Sequence, residues 1–185
     1  MIRDSIPYLV ACLAGVLAAT GGPATAADAE NTLFLDLKDG RVTIEMRPDL
    51  APQHVARIRT LVREGFYDGL VFHRVIDGFM AQTGDPLGNG TGGSGTKIPA
   101  EFSKQPFERG TVGMARSQNP NSADSQFFIC FAPASFLNGQ YTVWGQVTDG
   151  MEHVDAIKRG SEARNGEVTN PDKIVRMQVA ADAKN

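Results

Sequence analysis

The segment Phe72-His-Arg-Val-Ile-Asp-Gly-Phe-Met-Ala-Gln-Thr-Gly-Asp85 carries one arginine, one glutamine and several large apolar side chains around a bend at Gly78. Further on, Ser125-Gln-Phe-Phe-Ile129 repeats the pairing of an amide with aromatic groups. A guanidinium is permanently protonated and presents its donors as a planar fork, so Arg74 can stabilise a developing lone pair without exchanging a proton. Phe79, Met80 and Phe128 offer large, adaptable apolar area suited to lining a socket. Taken singly, a strand arginine is ordinarily structural, a strand glutamine solvated and an aromatic residue core. The joint pattern carries the information.

The remaining reactive side chains offer no competing chemistry. His54, His73 and His153 lack metal-ligand spacing with one another or with Cys130. A Ser–His–Asp site built on His73 would have no nucleophile elbow. Strand alternation turns His73 away from Arg74, so a packed, hydrogen-bonded histidine is expected there. Gly88-x-Gly90-x-x-Gly93 has dinucleotide-fingerprint spacing but no helix pattern follows it, and Gly95-Thr96-Lys97 has the wrong order for a phosphate loop. No cofactor and no metal are expected. Asn89-Gly90-Thr91 is a formal glycosylation acceptor, relevant only in a eukaryotic host.

These side chains must be held by short strands. Residues 32–46 alternate apolar and polar around Asp39-Gly40, which predicts a β-hairpin. Ala51-Pro52 opens a helix to about residue 66, with Val55, Ile58, Leu61 and Val62 on its buried stripe. Strands are predicted over 70–75, 79–83, 111–115, 126–131, 142–147 and 174–179, with a second short helix over 151–158. Strict alternation separates Phe79 from Met80 and Gln82, so Phe79 must lie on the bend after Gly78 to share a site with them. Many short strands and two helices favour a closed antiparallel β-barrel over a βαβ fold.

At 185 residues and a net charge of −3, the chain suits one globular domain, and no lysine or arginine stripe points to nucleic acid. Residues 1–26 differ in kind. Arg3 opens a weakly basic region, 8–19 is apolar and Ala24-Thr25-Ala26 is a cleavage site, which together read as a secretory signal peptide. The mature domain is then 27–185, exported and most simply periplasmic, with no stable membrane insertion after cleavage. A secreted form and an N-terminally anchored form are the alternatives. Loss of Cys12 with the signal leaves Cys130 as the one thiol, expected as a small buried residue.

Segments 72–85 and 125–129 together resemble the cyclophilin family of peptidyl-prolyl cis-trans isomerases, and the resemblance extends over about 32–179. It implies a mainly β fold, a closed eight-stranded antiparallel barrel capped by two α-helices. It also implies a monomeric isomerase (EC 5.2.1.8 type) acting on proline-containing polypeptides. The resemblance assigns Arg74 and Gln82 to catalysis, with Gln82 also holding the substrate backbone. Phe79, Met80, Phe128 and Leu137 match the proline pocket, and Gln126 the border of a neighbouring specificity pocket. Ala115, Arg116 and Ser117 match the segment that cradles the substrate backbone, while Phe136 and Tyr141 form a far wall.

Three positions depart from the better-known members. Arg116 replaces an asparagine, and the loop after it is one residue longer. Phe136 stands for tryptophan and Tyr141 for histidine, a bacterial-type pattern for which weak cyclosporin binding is expected. A non-catalytic proline-peptide-binding or holdase chaperone on the same fold is the alternative. Arg74 together with Phe79-Met80-x-Gln82 discriminates against it, because a pure binder needs no arginine.

Overall fold

The computed structural model describes residues 26–183, so the expected signal segment and Cys12 lie outside the described residues up to position 25. A short helix, α1 (Ala26–Glu30), precedes β1 (Thr32–Leu37) and β2 (Gly40–Met46). The hairpin register pairs Leu37 with Gly40, leaving Lys38-Asp39 as a two-residue turn. Alternation sends Leu33, Leu35, Val42, Ile44 and Met46 inward.

Helix α2 (Pro52–Arg63) follows and buries His54, Val55, Ile58, Leu61 and Val62. It ends three residues before the expected position because Glu64 caps it and Gly65 takes φ 70°, a left-handed stop. The strands β3 (Arg74–Ile76), β4 (Met80–Thr83), β5 (Thr111–Met114), β6 (Phe127–Cys130), β7 (Val143–Asp149) and β8 (Arg176–Val179) complete the set. Helix α3 (Met151–Asp155) occupies the first part of the second expected helix. One eight-stranded antiparallel sheet results, in the order β3-β4-β6-β5-β7-β2-β1-β8, curled into a half-barrel. Trp144, Phe127 and Tyr67 meet edge to face inside it, and α2 closes over the same apolar core.

The closed ladder expected from sequence is corrected at one seam. Edge strands β3 and β8 do not pair with each other, and only isolated bridges such as Val71↔Lys173 and Arg74↔Glu167 span the gap. The returning segment is interrupted by Asn170 at φ 51° and by Pro171, which has no N–H for a ladder. The expected strand over 70–75 accordingly splits. Only its last two residues belong to β3, while the Phe72 N–H donates to the Asp172 carbonyl across the seam at 2.9 Å.

Helix α2 lacks a local side-chain cap. The Glu101 carboxylate supplies one from a distance, accepting from the backbone N–H groups of Gln53 at 3.1 Å and His54 at 3.0 Å. It also accepts from His54 Nδ1 at 2.6 Å. His54 is fully buried, and burial lowers its pKa despite Glu101. His73 is lowered for the same reason. A histidine with a folded pKa below its unfolded value takes up protons preferentially when unfolded. Stability is therefore expected to be full above about pH 6.5 and to decline as pH falls below it. Glu101 and Asp85 are also depressed, hydrogen bonds outweighing desolvation in each, so a second decline is expected below about pH 4. Urea midpoints measured from pH 8 to 3 test this, and a flat profile between pH 7 and 5 would contradict it.

Candidate active site

The β3–β4 hairpin turns at Gly78, which takes φ 67°, a left-handed geometry that glycine adopts without strain. Phe79 lies on this turn rather than on the strand, its N–H donating to the Ile76 carbonyl. The turn breaks the alternation, so Phe79, Met80 and Gln82 all reach one cavity. Within the hairpin Arg74 pairs with Gln82 directly across the ladder, placing the two side chains on the same face.

Arg74 is held from two directions. Its Nη1 donates to Gln82 Oε1 at 3.1 Å. Its Nε donates to the Asn165 carbonyl and its Nη2 to Asn165 Oδ1, each at 3.0 Å. Asn165 sits at φ 53° on the loop after a short 3₁₀ turn, an αL geometry that asparagine tolerates. Of five guanidinium donors, one on each terminal nitrogen stays uncommitted. Burial lowers the Arg74 pKa from the ordinary guanidinium value, yet the group remains positive.

A chain of amides extends this clamp. Gln82 Nε2 donates to Gln126 Oε1 at 2.9 Å, and Gln126 Nε2 donates to the carbonyls of Gly92 at 2.8 Å and Gly90 at 3.1 Å. The glycine-rich loop is wound on Asp85, whose buried carboxylate accepts from the N–H groups of Leu87, Asn89 and Gly90.

The apolar side of the cavity is a small core separate from the main one. Met80, Phe128, Leu137, Cys130 and Phe107 form its floor, with Phe79, Ala115 and Tyr141 packed against it. Phe107 stacks on Phe128 at 5.7 Å and Tyr141 meets Phe128 edge-on at 6.1 Å. A Cβ on Gly113 would fall 2.6–2.7 Å from both phenyl rings, so the absence of a side chain there lets them close over β5. Phe136 leans on Phe79 at 5.2 Å and is 63% exposed, forming a rim. Burial raises the Cys130 thiol to about 12, which leaves it an inert packing group.

The cavity measures about 880 Å³. It gathers Arg74, Phe79, Met80, Gln82, Ala115 and Arg116, and opposite them Phe128, Phe136, Leu137 and Tyr141. Two expected residues stand apart. Gln126 stands behind Gln82 rather than on the lining, its amide spanning from Gln82 to the loop carbonyls of Gly90 and Gly92. Ser117 turns away, its N–H and Oγ both bonded to Ser122 Oγ. His73 also departs from expectation. It is packed and borders the cavity, but neither ring nitrogen has a hydrogen-bond partner.

Asn165, Arg164 and Glu167 line the cavity without having been anticipated. The Asn165-Gly166 dipeptide marks a turn, but nothing local connects it with an arginine 91 positions earlier. Gln140 and the Gly88–Gly90 backbone were missed for the same reason.

Residues 32–179 match the family described as cyclophilin type peptidyl-prolyl cis-trans isomerase/CLD. A probable peptidyl-prolyl cis-trans isomerase of Brucella suis is 64% identical over 173 residues, covering 87% of this chain and 88% of that protein. Peptidyl-prolyl cis-trans isomerase B of Bacillus subtilis is 45% identical over 132 residues, covering 70% of this chain and 92% of that one. Among solved structures, cyclophilin AquaCyp293 from Hirschia baltica superposes with a TM-score of 0.76 at 27% identity, covering 85% of this chain and 76% of that one. A Cryptosporidium parvum cyclophilin-type isomerase, crystallised in the presence of the dipeptide Ala-Pro, gives a TM-score of 0.73 at 26% identity over 83% of this chain and 99% of that one. The fold, the motif residues and these relatives agree, and the chain belongs to the cyclophilin-type peptidyl-prolyl cis-trans isomerases.

Proposed function

We propose that the apolar socket holds a proline ring of an extended polypeptide while Arg74 donates to the prolyl nitrogen as the preceding acyl unit rotates. A peptide bond resists rotation by ~18–20 kcal/mol because the nitrogen lone pair is delocalised into the carbonyl. Twisting localises that lone pair, so a donor aimed at nitrogen binds the twisted state better than the planar one. Arg74 suits this role because its fork is fixed by Gln82 and Asn165 while two N–H groups stay uncommitted beside the socket. That arrangement is the observation on which the proposal rests.

The magnitudes divide the work. A charged hydrogen bond contributes ~1.5–3 kcal/mol. An acceleration on the order of 10⁵ requires about 7 kcal/mol. The remainder falls to orientation of the chain by Gln82 and the 115–116 backbone, and to an apolar site that disfavours the dipolar planar amide. The dipeptide associated with the Cryptosporidium relative supports proline-containing polypeptides as the substrate class.

Export completes the proposal. The basic start, the apolar 8–19 stretch and Ala24-Thr25-Ala26 support delivery to the periplasm, where exported chains are the clients. Two measurements test these statements. A proline-peptide isomerisation assay on purified protein is expected to show turnover, and an inactive protein would contradict catalysis. The N-terminal mass of the exported protein is expected to begin near Ala27, and an intact N-terminus would contradict cleavage.

Cyclosporin should inhibit only weakly. Phe136 offers the rim an apolar ring without an indole N–H, and Tyr141 is covered by the Arg116 guanidinium 4.3 Å from its ring centre. Titration of the isomerase assay with the drug checks this, and nanomolar inhibition would contradict it.

A further inference from the structure

We infer that Arg116 makes this isomerase favour proline bonds flanked by an acidic residue, an inference that rests on the proline ring occupying the proposed socket. Arg74 and Arg116 both line the cavity, and among the described residues neither has a carboxylate within ion-pair distance. Glu167 is the one carboxylate of the lining, and it faces Arg164 at 3.7 Å. Burial lowers the pKa of His73, the remaining titratable base there, and so disfavours its charged form. The cavity is therefore positive in a chain whose net charge is −3.

The Arg116 charge is fixed in place rather than loosely solvated. Its Nε and Nη2 donate to the Gln140 carbonyl at 3.1 and 2.8 Å, and its Nη1 donates to the carbonyls of Ser117 at 2.8 Å and Gln118 at 3.4 Å. Carbonyls satisfy donors without cancelling charge, and one N–H on Nη2 remains uncommitted. The guanidinium lies over Tyr141, which itself meets Phe128 of the socket edge-on. Only one ring thus separates the cation from the proline seat, a distance within about one Debye length (~10 Å at 0.1 M salt). A glutamate beside the proline can approach this cation, whereas a lysine there meets two uncompensated arginines.

Each such contact, at a partly exposed position, changes kcat/KM by up to about fivefold. Glutamate over lysine is therefore expected to reach about tenfold at low salt and to shrink towards unity at high salt. The test uses two sets of tetrapeptides, with Glu, Gln or Lys either preceding or following the proline. It compares wild type with Arg116→Gln and Arg116→Lys, reading the Glu/Lys ratio within each protein. The expected order is Glu above Gln above Lys in at least one set. The ratio should be reduced several-fold in Arg116→Gln, kept in Arg116→Lys and screened by salt in wild type. A flat, salt-insensitive ratio in both wild-type sets overturns the inference alone, as does a ratio undiminished in Arg116→Gln. Absence of turnover with every peptide overturns the proposed function, and this inference with it. Should Arg116→Gln fail to fold, the wild-type salt dependence decides.

Discussion

Replacing Arg74 with alanine is expected to lower kcat/KM on a proline peptide by about 10- to 150-fold, the rate equivalent of losing one charged hydrogen bond. The loss should fall on kcat rather than KM, because a bond to the nitrogen lone pair exists only once the amide has twisted. The fold should survive the change. Arg74 is half-buried on the edge strand β3, and the groups it leaves, Gln82 Oε1 and the carbonyl and Oδ1 of Asn165, belong to residues bordering a cavity that water can enter. Lysine should recover little of the activity. Its ammonium keeps the charge but cannot bond Gln82 and Asn165 from one planar fork, so nothing aims it at the nitrogen. Stopped-flow isomerisation of the variants, with peptide affinity measured alongside, checks both statements.

Asp85→Ala should produce the largest loss of stability, about 2–4 kcal/mol. Three backbone N–H groups converge on this carboxylate, from Leu87 at 2.8 Å, Asn89 at 3.0 Å and Gly90 at 2.5 Å. A fully buried donor left without an acceptor costs ~1–3 kcal/mol, and these three N–H groups belong to exposed loop residues, so water recovers part of that. The glycine at 92 belongs to the same construction, since a Cβ there would lie 2.1 Å from Asp85 Oδ1. Activity should fall as well, because the loop carbonyls at Gly90 and Gly92 hold Gln126, which holds Gln82 and so Arg74. Asparagine keeps one acceptor and turns a donor towards the others, so it should restore about half of the loss. Urea unfolding measures the effect, and a shift below about 1 kcal/mol for alanine would contradict the role given to Asp85.

The parts of this molecule legible in its sequence are those set by local rules. The hairpin over 32–46 follows from period-2 alternation and a two-residue turn, and the buried stripe of α2 from helical spacing. Phe79 could be placed on the Gly78 bend because alternation forbids the other solution. The residues that escaped depend on contacts distant in sequence. Asn165 clamps Arg74 only because the 160–168 loop crosses the seam between β3 and β8. Glu101 caps α2 from 48 residues away. His73 misled in the details. Its burial was legible, but its two unpartnered ring nitrogens were not, since they depend on how the distant glycine-rich loop packs against it.

Exchange spectroscopy on a proline peptide, with wild type and Arg74→Ala at equal occupancy, tests Arg74 catalysis most directly, because binding and on-enzyme rotation are read from one sample. Transition-state donation by Arg74 predicts peptide affinity kept within a few-fold and an on-enzyme rotation rate lowered by about 10- to 150-fold. An unchanged rotation rate in the variant would contradict it, and so would a loss carried wholly by weaker binding.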